Sequence, residues 1–312
     1  MLINFIRTYS EKMASFRSKI PAVQAARTVL AIATLTVLIS TSWESLTPEI
    51  AGLGRPSYCE PPLSLGLFCM DASADKFYAR GFAVLVLILV ALGVVPAISS
   101  WLHAWTAFSF SVGIGLPDGG EQVSQVVTAL AVLICINDWS WCAWRPQMGA
   151  LFKLNRIDSG FQGIRWAAWI GIRMQVAYIY LNSGLSKLPQ EDWMNGSAMY
   201  YFVRDPSFGV SGPLSDFVMW LTDFDLGVAF LTWTPILMEA TIAILIFGGP
   251  LRRRLAFWIA AILHGGIILL IGLWSFGLIM IGSVALAAFP RYEPNPSRHK
   301  STNAVLVSSH TV

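Results

Sequence analysis

Residues 22–42 read AVQAARTVLAIATLTVLISTS. This apolar run is long enough to cross a hydrocarbon core, which takes about 20 residues of α-helix. Similar stretches recur near 77–95, 98–116, 122–137, 165–187, 227–247, 254–273 and 275–290, the last two broken only around residues 273–276. Composition agrees: the chain is 55% hydrophobic and 12% charged, with a mean hydropathy of +0.60. Soluble domains carry roughly twice that charge, and β-barrel spans would show short alternating segments instead. The expected fold class is therefore all-α, a transmembrane helix bundle of about eight spans. Residues 22–42 are too long for the apolar core of a cleavable signal, and no small-residue cleavage site clearly follows. The run is expected to remain as the first span.

Lysine and arginine positions orient such a bundle, because cytoplasmic loops retain them. With the N-terminus inside, Arg55, Lys76, Arg80, Lys187 and Arg204 fall outside and Arg173 falls within a span; the other 15 of the 21 lie on the cytoplasmic side. Both termini are then cytoplasmic, and the expected location is a cell membrane crossed several times. The domain reading is an N-terminal amphipathic helix over 1–21, a transmembrane domain over 22–290 and a disordered tail over 291–312. In the first, Leu2, Phe5, Ile6, Tyr9, Met13, Phe16 and Ile20 repeat at helical spacing among Arg7, Lys12, Arg17 and Lys19, a pattern that suits an anionic membrane face or a basic orientation signal. Cys59 and Cys69 share the first outer loop, where a disulfide is permitted by compartment. The four histidines are widely spread, so no metal site is expected. Nothing in the pattern points to nucleic acid, and the tryptophans at 139, 141, 144, 166 and 169 read as an interfacial belt.

Ionisable groups within spans are costly and carry information. Arg173, Glu239 and His264 fall at similar depth when residues are counted from the cytoplasmic ends of their spans, roughly 12–15 Å at 1.5 Å per residue. An Arg173–Glu239 ion pair with His264 nearby is the expected layer. It would serve either helix packing or a proton or substrate pathway. The fifth span also carries Arg173, Tyr180 and Lys187 at seven-residue intervals, beside a stripe of Gln175, Tyr178, Asn182 and Ser186. A span facing only lipid would not carry two polar faces.

That span ends in residues 175–209, QVAYIYLNSGLSKLPQEDWMNGSAMYYFVRDPSFG. The stretch resembles the SdpB family of bacterial membrane proteins, kin to the wider HTTM group that includes the membrane domain of the vitamin K-dependent gamma-carboxylase. The residues that carry the resemblance are Gln175, Tyr180, Ser183, Gly184, Lys187, Leu188, Trp193, Gly196 and Tyr200, with His103, the turn Asp118-Gly119-Gly120 and Glu239 elsewhere. The resemblance is expected to be closer to SdpB-type proteins than to the carboxylase, whose large lumenal domain has no counterpart in these 312 residues. The resemblance implies a role in producing, maturing or exporting a secreted antimicrobial peptide, with the peptide precursor and a small operon-encoded protein as partners beside the lipid bilayer.

The resemblance also implies a lysine base at Lys187 and a histidine at His103; Tyr180, Asn182, Trp193 and Tyr200 are the candidate substrate contacts. No cofactor is evident; a reduced quinone belongs only to the carboxylase-like reading. A lysine in an apolar site loses its charged form and serves as a base near neutral pH. The alternative is that Lys187 is an interfacial anchor whose stem lies in lipid. His103 is expected near the inner face and Lys187 near the outer face, about 21 Å of helix apart on the Arg173–Lys187 count. A transporter built on the Arg173–Glu239–His264 layer is a third reading, though no inverted repeat or Walker motif is visible.

Overall fold

The computed structural model describes residues 15–48, 59–61, 63–73, 75–115, 119–152, 158–206 and 209–292. Among the described residues eight long helices carry the fold: α1 (Pro21–Ser40), α2 (Phe77–Leu92), α3 (Pro96–Gly113), α4 (Gly119–Cys135), α5 (Asp158–Lys187), α6 (Asp225–Leu245), α7 (Pro250–Ile271) and α8 (Trp274–Ala288). Prolines open α1, α3 and α7, where a missing N–H costs nothing. Glycines at positive φ close α2 and α7, Gly93 at 75° and Gly272 at 81°. Among the described residues three helices, α1, α6 and α7, are long and apolar enough to cross a membrane, fewer than the eight spans expected, and α2, α4 and α8 are apolar but shorter. The chain is thus all-α, apart from one two-residue strand pair, and has the helices of a membrane protein.

The helices pack in chain order, and α8 closes the bundle back onto α1. Each of α1 to α7 packs on the next, α8 follows α7, and α8 also packs on α1, α4 and α5. Gly277, Gly282, Ser283, Ala285, Ala287 and Ala288 make α8 narrow enough for that position, and every one is buried. Small residues let helix backbones approach closely in lipid, where apolar burial alone gives no drive to associate. A Cβ on Gly282 would lie 2.9 Å from Leu30 Cγ and 3.2 Å from the Ala26 carbonyl of α1.

The first and last described segments meet beside this core. Phe16–Arg17 pairs antiparallel with Arg291–Tyr292, and the Phe16 ring stacks on Trp169 at 5.1 Å. The helix expected over 1–21 therefore gives way to a strand at its end, and residues 1–14 lie outside the described set. The tail expected from 291 likewise begins as strand, and 293–312 lie outside that set. Cys59 and Cys69 are disulfide-bonded, with Cα atoms 5.4 Å apart, and Phe68 beside them stacks on Trp43 at 4.9 Å. Asp71 and Ser73 cap the start of α2: Asp71 Oδ2 accepts the Ala79 N–H at 2.9 Å and Ser73 Oγ that of Phe77 at 3.0 Å. The Ala79 N–H, with Ser73's own hydroxyl and N–H, pulls the Asp71 carboxyl down from 3.8 to about 2.

Trp169 corrects the belt reading. It is fully buried, donates to the Ala287 carbonyl at 2.8 Å and has the guanidinium carbons of Arg173 and Arg253 4.8 and 4.9 Å from its ring. Trp141 and Trp144 remain exposed. A Gly282→Leu substitution should overpack the α1–α8 contact and cost about 1–3 kcal/mol. The midpoint of detergent-solubilised unfolding should fall accordingly, whereas Gly265→Leu, with no atom within 4 Å of its Cβ position, should change it little.

Candidate functional site

Lys187 lies in the last turn of α5, where the helix dipole favours a cation. Pro189 follows and discourages continuation of the helix. The lysine bends back along its own helix. Its Nζ donates to the Ser183 carbonyl at 3.1 Å, to Ser183 Oγ at 2.8 Å and to Glu239 Oε2 and Oε1 at 2.8 and 2.9 Å. Ser183 Oγ donates in turn to Glu239 Oε1 at 2.9 Å. Gly184 leaves the room: a Cβ there would sit 3.4 Å from Glu239 Oε2. The pair is mostly buried, with side-chain exposures of 19% for Lys187 and 10% for Glu239.

The segment after Lys187 folds back over α6. Met199 donates its N–H to Thr232 Oγ1 at 3.1 Å, and Gly196, at φ 83°, has its Cβ position 3.3 Å from Trp233 Nε1. This turn brings Trp193 beside the lysine, its ring centre 5.5 Å from Nζ. Tyr200 is taken up by Arg204, whose guanidinium carbon stands 3.9 Å from its ring centre; Arg204 also pairs with Asp223 at 2.6 Å. Asn182 lies on the exposed side of α5. Tyr180 points into the bundle and shares a hydrogen bond of 2.8 Å with His264 Nε2, both residues being buried. Of the four expected substrate contacts, Trp193 alone has a direct contact with Lys187.

The expected charged layer is not formed. Glu239 pairs with Lys187, and Arg173 Nε donates to the Ile246 carbonyl at the end of α6, at 2.8 Å. His264 joins Tyr180. The depth count failed because side chains lean toward the N-terminus of their own helix. On antiparallel α5 and α6, Lys187 and Glu239 lean toward each other, and Arg173 leans away. The Ser183-x-x-x-Lys187 spacing with Gly184 between them was the available signal, since it puts a hydroxyl one turn below the lysine and a gap beside it.

His103 is also apart from Lys187. It is buried on α3, which packs on α2 and α4, and its charged neighbour is Arg27 of α1. Among the described residues no group of three or more His, Cys, Asp or Glu side chains is placed to hold a metal ion.

The assembled unit is a serine hydroxyl, an ammonium and a carboxylate within hydrogen-bond reach of one another. It can hold a proton on nitrogen, pass it to the carboxylate and orient both groups through Ser183. Removing one partner of such a pair strands the other in an apolar site. Glu239→Gln and Lys187→Met should each lower unfolding stability by about 2–4 kcal/mol, and a Lys187→Met/Glu239→Leu double variant should recover most of the loss. No such coupling should appear between Arg173→Gln and Glu239→Gln in the same unfolding measurement.

Two curated proteins of Bacillus subtilis (strain 168) are similar to this chain along most of its length. One is the uncharacterized protein YitO, 29% identical over 273 residues, spanning 85% of this chain and 84% of the relative. The other is the sporulation-delaying protein SdpB, 28% identical over 266 residues, spanning 85% of this chain and 80% of the relative. No family model and no solved structure matches.

Proposed function

From the chain's relationship to the SdpB family, we propose that it is a membrane component of a sporulation-delaying type of system. In this reading it takes part in the production, maturation or export of a secreted toxin peptide. All eight helices cross the membrane, both termini are cytoplasmic, and Lys187 stands at the extracytoplasmic end, where such a peptide emerges. A peptide precursor and a small partner protein are its proposed associates. Its membership of the wider HTTM group belongs to the same proposal.

The observation that carries this reading is the Ser183–Lys187–Glu239 unit under Trp193. A mostly buried ion pair that only joined two helices would need no aromatic cover and no reserve hydroxyl. Here the carboxylate is the charged acceptor within reach of the ammonium, at 2.8 Å. Transfer to Glu239 leaves a neutral amine at Lys187, with Ser183 able to hold either form in place. That is the arrangement a base requires when its resting state is charged. Trp193 supplies an apolar wall against which a peptide side chain packs.

The carboxylase-like reading is weaker on geometry. His103, its second reacting residue, lies with Arg27 on the α1–α3 side of the bundle, so the two groups that would face a quinone do not share a site.

In a strain whose toxin output depends on this chain, Lys187→Ala should lower secreted toxin activity by about a hundredfold at an unchanged membrane level of the protein. The Lys187→Met/Glu239→Leu variant, stable but without the proton-handling groups, should be equally inactive. Wild-type toxin output from that double variant would reduce the pair to a helix fastener and end the functional reading.

A further inference from the structure

A short helix, Ser215–Leu221, lies in the chain between the segment that covers Lys187 and the start of α6. It has two opposite faces. Val218 and Thr222, one turn apart, are buried. Thr222 Oγ1 accepts from Arg204 Nη1 at 2.9 Å, and the adjoining Asp223 Oδ1 accepts from Arg204 Nη2 at 2.6 Å. The same Nη1 reaches the Tyr200 carbonyl at 3.1 Å. Arg204 thus pins this side to the segment that carries Trp193. The other side holds Phe217, Trp220 and Phe224, whose three- and four-residue intervals put them on one helical face. They are 57%, 55% and 52% exposed. Their rings stand in series, 5.8 Å from Phe217 to Trp220 and 5.2 Å from Trp220 to Phe224 between centres.

The aromatic series leads directly into α6. Phe224 is the residue before its first turn, and α6 is long and apolar enough to cross a membrane. Leu226, Phe230, Leu237 and Ile244 of α6 fall on one face at helical spacing, and all four are exposed. Thr232, Ile236, Glu239 and Ile242 turn to the opposite, buried side. The exposed stripe has no hydrogen-bonding side chain, so acyl chains satisfy it fully. The rings of the short helix therefore begin where the acyl-facing stripe of α6 ends, at headgroup level. Aromatic rings favour that level, because the flat faces bury among the upper acyl chains while an indole N–H reaches polar headgroup oxygens. Trp220 Nε1 is the one polar atom on the three side chains.

We propose that Ser215–Leu221 with Phe224 is an interfacial anchor, its Phe217, Trp220 and Phe224 side chains set about 5–10 Å into the leaflet at which α6 begins. The partner is bilayer lipid, met through its upper acyl chains and headgroup oxygens. The proposal rests on α6 crossing the membrane and not on what Lys187 does.

The test uses the full chain in phosphatidylcholine nanodiscs, with Cys135 and Cys142 replaced and the Cys59–Cys69 disulfide kept. Phe217→Cys and Trp220→Cys are each labelled with bimane, and Leu237→Cys serves as the reference within hydrocarbon. Quenching is read with lipids spin-labelled high on the acyl chain, with lipids spin-labelled near its end, and with aqueous iodide. The labels at 217 and 220 should be quenched several-fold more by the high spin label than by the deep one, and the label at 237 should show the reverse order. Iodide should quench the labels at 217 and 220 several-fold less than the same labels on the chain unfolded in guanidinium. Iodide quenching equal to that of the unfolded chain overturns the proposal, because the face is then in water. Protection from iodide and from both lipids also overturns it, and assigns the face to a second copy or another protein. The two positions are read independently, so either decides the matter if the other variant does not fold.

Discussion

The carboxylate of Glu239 has to be neutralised inside an apolar bundle, and Lys187 is the group that does it. A lone carboxylate moved out of water costs several kcal/mol even after relaxation. With Nζ 2.8 Å away and a serine hydroxyl at 2.9 Å, the charge becomes part of a compact neutral unit. That unit fixes the register of α5 against α6. It also holds the start of the 188–203 segment, which places Trp193 over the ammonium. The same contact thus joins packing to whatever chemistry the site performs.

Two other buried cations, Arg173 and Arg253, follow a related rule with different partners. Arg173 donates to the Ile246 carbonyl at the end of α6, and Arg253 to the Ala288 and Pro290 carbonyls at the end of α8. Terminal carbonyls of a helix lack intrahelical donors and carry its negative dipole end. Trp169 lies against both guanidinium groups with its flat ring and closes the space between α5, α7 and α8. The narrow faces of α8 let these elements come close enough for such bonds to form. Arg27 has two neutral acceptors instead, Gln24 and Ser99.

Helix positions were readable from apolar runs bounded by Pro21, Pro96 and Pro250 at helix starts and by Gly93 and Gly272 at helix ends. Those residues act through local backbone geometry, which a sequence carries directly. Span 165–187 was the least well bounded, since α5 begins at Asp158. Partner choice was less readable. It depends on the direction in which side chains lean on antiparallel helices, so Glu239 was matched to Arg173 by depth when Lys187 was within reach. Trp169 read as an interfacial residue because tryptophan favours both interfaces and guanidinium faces, and only packing tells them apart. Arg27 counted as a cytoplasmic charge, yet Gln24 three residues earlier and Ser99 on another helix allow it to be buried. The resemblance in residues 175–209 did single out Lys187, Ser183 and Gly184 together, and these three meet Glu239 in the structure.

The pairing of Lys187 with Glu239 is tested most directly by disulfide trapping in native membranes, in a background with Cys135 and Cys142 replaced. A Lys187→Cys/Glu239→Cys variant should cross-link α5 to α6 rapidly under mild oxidation, and Arg173→Cys/Glu239→Cys should not. Efficient trapping of the Arg173 variant, with none at Lys187, would contradict the account.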